Sequence, residues 1–270
     1  MSAAWDQAVT MVSANKEVLL VLAGVFFFIP NLATALFLPE AIPDQATGQT
    51  VDPEEIMAAM SGFYSEYWWV LLLVAIISTI GMIAVLAVLG DRGRPTVGDA
   101  MARGVKLLPT QIAAQLGIAL TLVVVLFVVG LIAGFAGAGA AVALSVLLAL
   151  PILIYLIVKF SMAAPIIAIE RELNPIAALR NSWLLTKGNS FRLTTFFALL
   201  LLAFVVSYAI LTLVLGLLFA LAGEAVARVG TAGVTGLLSA VFAVFAYAVL
   251  ASVHRQLSAP PASVPKTGHD

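Results

Sequence analysis

Charged side chains are absent from run after run of about 20 residues, the length an α-helix needs to cross a hydrocarbon core roughly 30 Å thick. No Asp, Glu, Arg or His falls in the middle of any of these runs. The chain is 63% hydrophobic and 10% charged, against about 25% charged in an ordinary soluble domain. The number of runs leaves no room for a soluble domain. The lack of cysteine removes disulfides, thiolate metal sites and cysteine nucleophiles. The first apolar run meets Pro30-Asn31 rather than a small-x-small site, so no cleavable signal peptide is expected.

The pattern predicts an all-α integral membrane protein with six transmembrane helices, at residues 17–38, 70–90, 112–135, 141–159, 193–221 and 231–253. They form a single polytopic membrane domain over residues 1–257. Residues 258–270, with three prolines, read as a disordered cytoplasmic tail. Pro30 must loosen the helix at Phe26, and Asn31 beside the gap either bonds a neighbouring helix or marks a hinge or polar ligand contact. Residues 39–68 form an acidic loop without lysine or arginine. In it Asp52-Pro53-Glu54-Glu55 starts a helix, and Tyr67-Trp68-Trp69 marks re-entry into the bilayer. The carboxylates there lack the spacing of an EF-hand. Gly130, Gly134 and Ala138, four apart, suit close helix contact. Residues 160–169, with Pro165, either extend the fourth helix or lie as a broken interfacial piece.

Lysine and arginine set the expected orientation. Arg228 alone joins the acidic loop's side, and the carboxylates divide evenly, so the two faces carry −6 and +5, which sum to the formal −1. Both termini are therefore expected in the cytoplasm.

One long polar stretch, residues 170–192, lies between two very hydrophobic blocks. Asn174 can cap a helix and Pro175 suits its first position, while Lys187-Gly188 closes it. That short helix should rest on a membrane surface, as should residues 2–15, which gather Ala4, Trp5, Ala8, Val9, Met11 and Val12 on one face. Aligning Ala4, Ala100 and Ala178 brings Ala8, Gly104 and Ser182 together four residues on. Met11, Leu107 and Leu185 follow, then the amides Asn15, Gln111 and Asn189. This register predicts three tandem units, each an interfacial amphipathic helix followed by a transmembrane hairpin. The small residues Ala4, Ala8, Ala100, Gly104, Ala178 and Ser182 would be the packing stripe.

The run Ala178-Leu-Arg-Asn-Ser-Trp-Leu-Leu-Thr-Lys-Gly-Asn189, preceded by Ala164-Pro-Ile-Ile-Ala-Ile169, resembles the membrane domain attached to some bacterial glycerophosphodiester phosphodiesterases. It is similar also to stand-alone, uncharacterised bacterial inner-membrane relatives with the same six-helix plan. Asp99-Ala-Met-Ala-Arg-Gly-Val-Lys-Leu-Leu-Pro109 fits that pattern. The resemblance implies an all-helical domain of a bacterial inner membrane. It does not imply phosphodiesterase activity, because the catalytic domain that performs that chemistry has no counterpart in this sequence.

The residue inventory agrees. His254 and His269, at a helix end and in the tail, cannot assemble a metal cluster with carboxylates. Lys159 reads as snorkelling from a helix end. Without ionisable groups at mid-membrane an ion-coupled carrier is disfavoured; polar contacts would come from Asn31, Ser78, Thr79, Gln115 or Thr121. No enzymatic activity, cofactor, metal or nucleic-acid partner is expected. Two functions stay open. One is a non-enzymatic protein that organises lipids or a membrane complex through its cytoplasmic-face helices. The other is an uncoupled transporter or lipid-moving protein with a cavity between the hairpins. Expected partners are membrane lipids, with a larger membrane-protein complex or a homo-oligomer as further assemblies. The candidate lipid- or partner-binding residues are Arg171, Arg180, Trp183, Lys187 and Arg192, since cations near an anionic leaflet each contribute about 1 kcal/mol.

Overall fold

The structure is a computed structural model and describes residues 2–39, 52–91, 93, 95–135 and 138–258. Its helices are α1 (Ser2–Ala14), α2 (Lys16–Ala23), a π-helical turn (Gly24–Phe28), α3 (Ile29–Phe37), α4 (Pro53–Gly90), α5 (Val97–Gly134), α6 (Ala138–Phe160), α7 (Ala163–Ile169), α8 (Pro175–Leu185), α9 (Ser190–Ala220) and α10 (Glu224–Ser258). Six stretches among the described residues are long and apolar enough to cross a membrane, in the places the sequence indicates. All but the first are longer than expected. α4 begins at Pro53, capped by the Asp52 carboxylate on the Glu54 N–H. The acidic residues Glu54 to Glu66 are therefore helical, and Trp68-Trp69 sits inside a continuous helix. Ser258 likewise closes α10 rather than opening a tail. Glu40, Asp44, Arg92, Arg94, the turn at Ala136-Gly137, His269 and the expected tail from residue 259 lie outside the described residues.

The core gathers at one end of the bundle. From Ile83 to Leu89 every side chain of α4 is buried, as a helix apolar all round must be. α5, α7, α10 and the first span surround it. By contrast, no residue of the most apolar stretch of α9 is buried. α1, the start of α5, α7, α8 and the last turns of α10 all pack at this core end, called the α1 end below.

Pro30 reshapes the first span. It has no N–H to give, and the backbone ahead of it widens: the Ile29 N–H reaches the Gly24 carbonyl in a π turn. Pro30 then lies in the first turn of α3. The widening turns three successive phenylalanines onto neighbours. Phe26 meets α4 at Gly81 and Phe28 meets α10 at Gly236, while Phe27 lies 5.7 Å from the Tyr247 ring. Contrary to the expected bond to a neighbouring helix, the Asn31 Nδ2 donates to the Phe27 carbonyl of its own helix at 2.7 Å.

The expected small-residue stripes are buried in all three segments: Ala4 and Ala8, Ala100 and Gly104, Ala178 and Ser182. Ala4 and Ala8 face α10, where the Ser252 hydroxyl donates to the Ala4 carbonyl. Gly104 lies against the Ile80 backbone of α4. Continuity of the helices departs from the expected pattern. The chain breaks after the first and third segments, at Asn15 and at Gly188-Asn189, but residues 98–109 run without interruption into the third span as α5. Three separate interfacial helices are therefore not present. The reason lies in the matched amides. Asparagine competes for backbone groups and favours helix ends, whereas glutamine is a good helix former, and Gln111 continues the helix past Pro109. Gly130 and Gly134, expected at a close contact, have no atoms near where a Cβ would stand.

Candidate functional site

At the α1 end the fourth span is broken, and α8 seals the break. α6 stops at Phe160, a turn follows at Ser161-Met162, and α7 resumes as a short helix. Residues 160–169 are thus a broken helix, and a buried one: Met162, Ala163, Ile166, Ile167 and Ala168 are all core. α7 ends at Ile169 with Glu170 as its C-cap, and Arg171 adopts a left-handed φ of 60°, a strained conformation for a residue with a Cβ. The break leaves backbone groups without helical partners. Ser182 of α8 supplies them, its hydroxyl donating to the Lys159 carbonyl at 2.7 Å and accepting from the Met162 N–H at 3.2 Å. α8 is positioned for this by its cap, since the Asn174 side chain accepts from the Ile176 and Ala177 N–H groups. Gly188, at φ 84°, then turns the chain into α9.

Trp183, the next residue, covers Lys159. The ammonium lies 5.1 Å from the Trp183 ring centre and 5.5 Å from that of Tyr155, and the two rings meet edge to face. Lys159 does not snorkel freely into water: it is 3% exposed. Both rings hold it by their negative faces.

Beside the break lies a charged cleft of 460 Å³, bounded by Gly90, Asp91, Arg103, Ala168, Glu170 and Arg171. It adjoins a second hollow to which Arg103, Lys106 and Arg171 contribute. Arg103 pairs with Asp91 at 2.7 Å. The Gly93 N–H and the Arg103 guanidinium hold the Asp91 carboxyl below the usual carboxylate range. Glu170 meets the buried His254 at 2.8 Å, and His254 Nδ1 has no partner among the described residues. Arg255 donates to the Leu89 carbonyl at the end of α4. The arrangement presents guanidinium and ammonium groups at the level of the helix ends, where an anion can be met by several donors. Among the described residues no three His, Asp or Glu side chains come together as a metal site.

Of the expected binding residues, Arg171 lines this cleft beside Arg103, and Lys106 meets both in the adjoining hollow. Trp183 is set over Lys159. Arg180, Lys187 and Arg192 are exposed along α8 and the start of α9, and the cleft does not gather them. The polar candidates within the spans are mostly turned onto their own helices: Asn31, Thr79 and Thr121 each donate to the carbonyl four residues back. An open apolar groove of 580 Å³ runs between the first span and α4, past Phe26, Ile29, Pro30, Leu73 and Ile77. The Glu170–His254 pair had no local signal, the partners being 84 residues apart. Compared with known proteins, the chain matches no family model, no curated protein and no solved structure.

Proposed function

We propose that this chain is a non-enzymatic, multi-pass protein of a bacterial inner membrane that organises anionic lipids, or a membrane complex carrying acidic groups, at its cation-bearing face. The observation that carries this reading is the meeting of Arg103, Lys106 and Arg171 at the α1 end of the bundle, next to exposed Arg180, Lys187 and Arg192. Arg228, bonded to the Leu36 carbonyl, is the one described lysine or arginine at the opposite end. By the positive-inside rule the α1 end is cytoplasmic, with α1 and α8 at the membrane surface. The likeness to the membrane domain of bacterial glycerophosphodiester phosphodiesterases is proposed on residues 99–109 and 164–189. The tandem reading is kept in reduced form, as a shared packing stripe rather than three separate surface helices.

Reporter fusions at residue 50 and at the C-terminus should give opposite signals, and matching signals would overturn the orientation. Neutralising Arg180 and Lys187 together should leave insertion and helix content intact while lowering the anionic lipid or partner that co-purifies. Native mass spectrometry and pull-down of the double variant check this; no change in either would leave those two residues only a role in orientation. The second reading, an uncoupled lipid-moving protein, draws on the apolar groove beside Pro30. Lipid transfer between vesicles by the pure protein would favour it.

A further inference from the structure

We infer that Lys159 anchors one bound anionic phospholipid, whose phosphodiester meets the ammonium while Tyr155 and Trp183 flank the headgroup. This rests on the lipid-binding reading and gives it a specific site.

Among the described residues Lys159 makes no ion pair and no side-chain hydrogen bond, although it is almost wholly buried. Its ammonium lies over the Tyr155 and Trp183 rings, and a poorly solvated charge left without a counter-ion is disfavoured. A second cation, the exposed Lys187, follows Trp183 by four residues. The site is therefore electropositive and selects an anion. Its depth selects which anion. Lys159 is in the last turn of α6, at the level where a transmembrane helix leaves the apolar core. Ile152, Tyr155 and Lys159, spaced three and four apart, share one helix face, and Ile152 and Tyr155 are open to the surroundings. An acyl chain can follow that face while the phosphate reaches the ammonium. The two covering rings are themselves exposed, Tyr155 by 45% and Trp183 by 37%, so changes of rotamer suffice to admit an oxygen. Free inorganic phosphate has the same oxygens but no chain to lie along α6.

The test uses the full chain with Trp5, Trp68 and Trp69 replaced by phenylalanine, leaving Trp183 as the sole indole. It is placed in phosphatidylcholine vesicles carrying phosphatidylglycerol or phosphatidylcholine brominated on the acyl chains. Brominated phosphatidylglycerol should quench Trp183 at lower mole fraction than brominated phosphatidylcholine. Lys159→Met should weaken that preference about tenfold, the loss expected for a charge-assisted bond, and Lys159→Arg should keep most of it. Equal quenching by the two lipids with Lys159 in place overturns the proposal without any variant. So does quenching unchanged by Lys159→Met, or relief of quenching by millimolar inorganic phosphate. The wider reading fails differently, by no anionic lipid remaining on the protein in native mass spectra.

Discussion

Replacing Gly81 by leucine is expected to lower the unfolding midpoint in detergent far more than the same replacement at Gly130. A Cβ built on Gly81 overlaps the Cβ of Phe26 and stands 2.9 Å from its Cγ and 3.1 Å from Phe27 Cζ. The overlapped atom is bonded directly to backbone, so no rotamer change relieves it. Overpacking of this kind costs about 1–3 kcal/mol and more where the backbone must shift, and a leucine here belongs at the upper end. Gly104→Ala should follow in size, because its Cβ would lie 2.8 Å from the Ile80 carbonyl oxygen. Gly130 has open space around it, so Gly130→Leu should change the midpoint little, and Gly130→Ala should raise helix propensity. Thermal unfolding of the four variants, followed by size-exclusion chromatography, checks the order. A Gly81 variant as stable as the Gly130 variant would mean that the π turn does not press the first span onto α4.

That contrast also shows where the sequence was readable. The count of spans came from charge-free runs, and it was legible because the bilayer imposes the same demand on every run separately. Helix caps were legible for the same reason: Asn174 and Asp52 act within a few residues of themselves. Which glycine touches a neighbour was legible only at Gly104, four residues after Ala100 in the packing stripe. Gly130 and Gly134 have the spacing of a packing motif but point at nothing, whereas Gly81, Gly90 and Gly230 meet another segment closely and belong to no such stripe. Close approach is set by how two helices cross, which neither sequence states alone. The π turn was half legible, since Pro30 announces a disturbance without saying that the helix widens before it. Lys159 was misread because its burial comes from Trp183, which is brought over it only when α8 folds back. The charged cleft needed three segments, α4, α5 and the end of α7, to be placed together, and only the Arg103 and Lys106 cations could be seen locally.

Ser182→Ala should destabilise the protein by about 1–3 kcal/mol, and the analogous Ser252→Ala by less than about 1 kcal/mol. The two serines look alike. Both are fully buried, and each hydroxyl joins its own segment to a distant one. Their partners differ. Ser252 donates to the Ala4 carbonyl, which lies within α1 and keeps its helical hydrogen bond when the serine is gone. Ser182 serves the Lys159 carbonyl and the Met162 N–H on the two sides of the α6–α7 break, and the Met162 N–H, which lies outside both helices, has no other hydrogen bond among the described residues. Alanine there would leave that donor buried and unmet, away from water, at a cost of about 1–3 kcal/mol. The break should also loosen, since no other side chain among the described residues bridges the two backbone groups. Amide exchange at Met162 and Ala163 should then accelerate in Ser182→Ala and stay slow in Ser252→Ala, with both proteins inserted in detergent micelles. Equal stabilities and equal exchange would show that the break closes on itself without α8, and that Ser182 is only a small residue in a packed stripe.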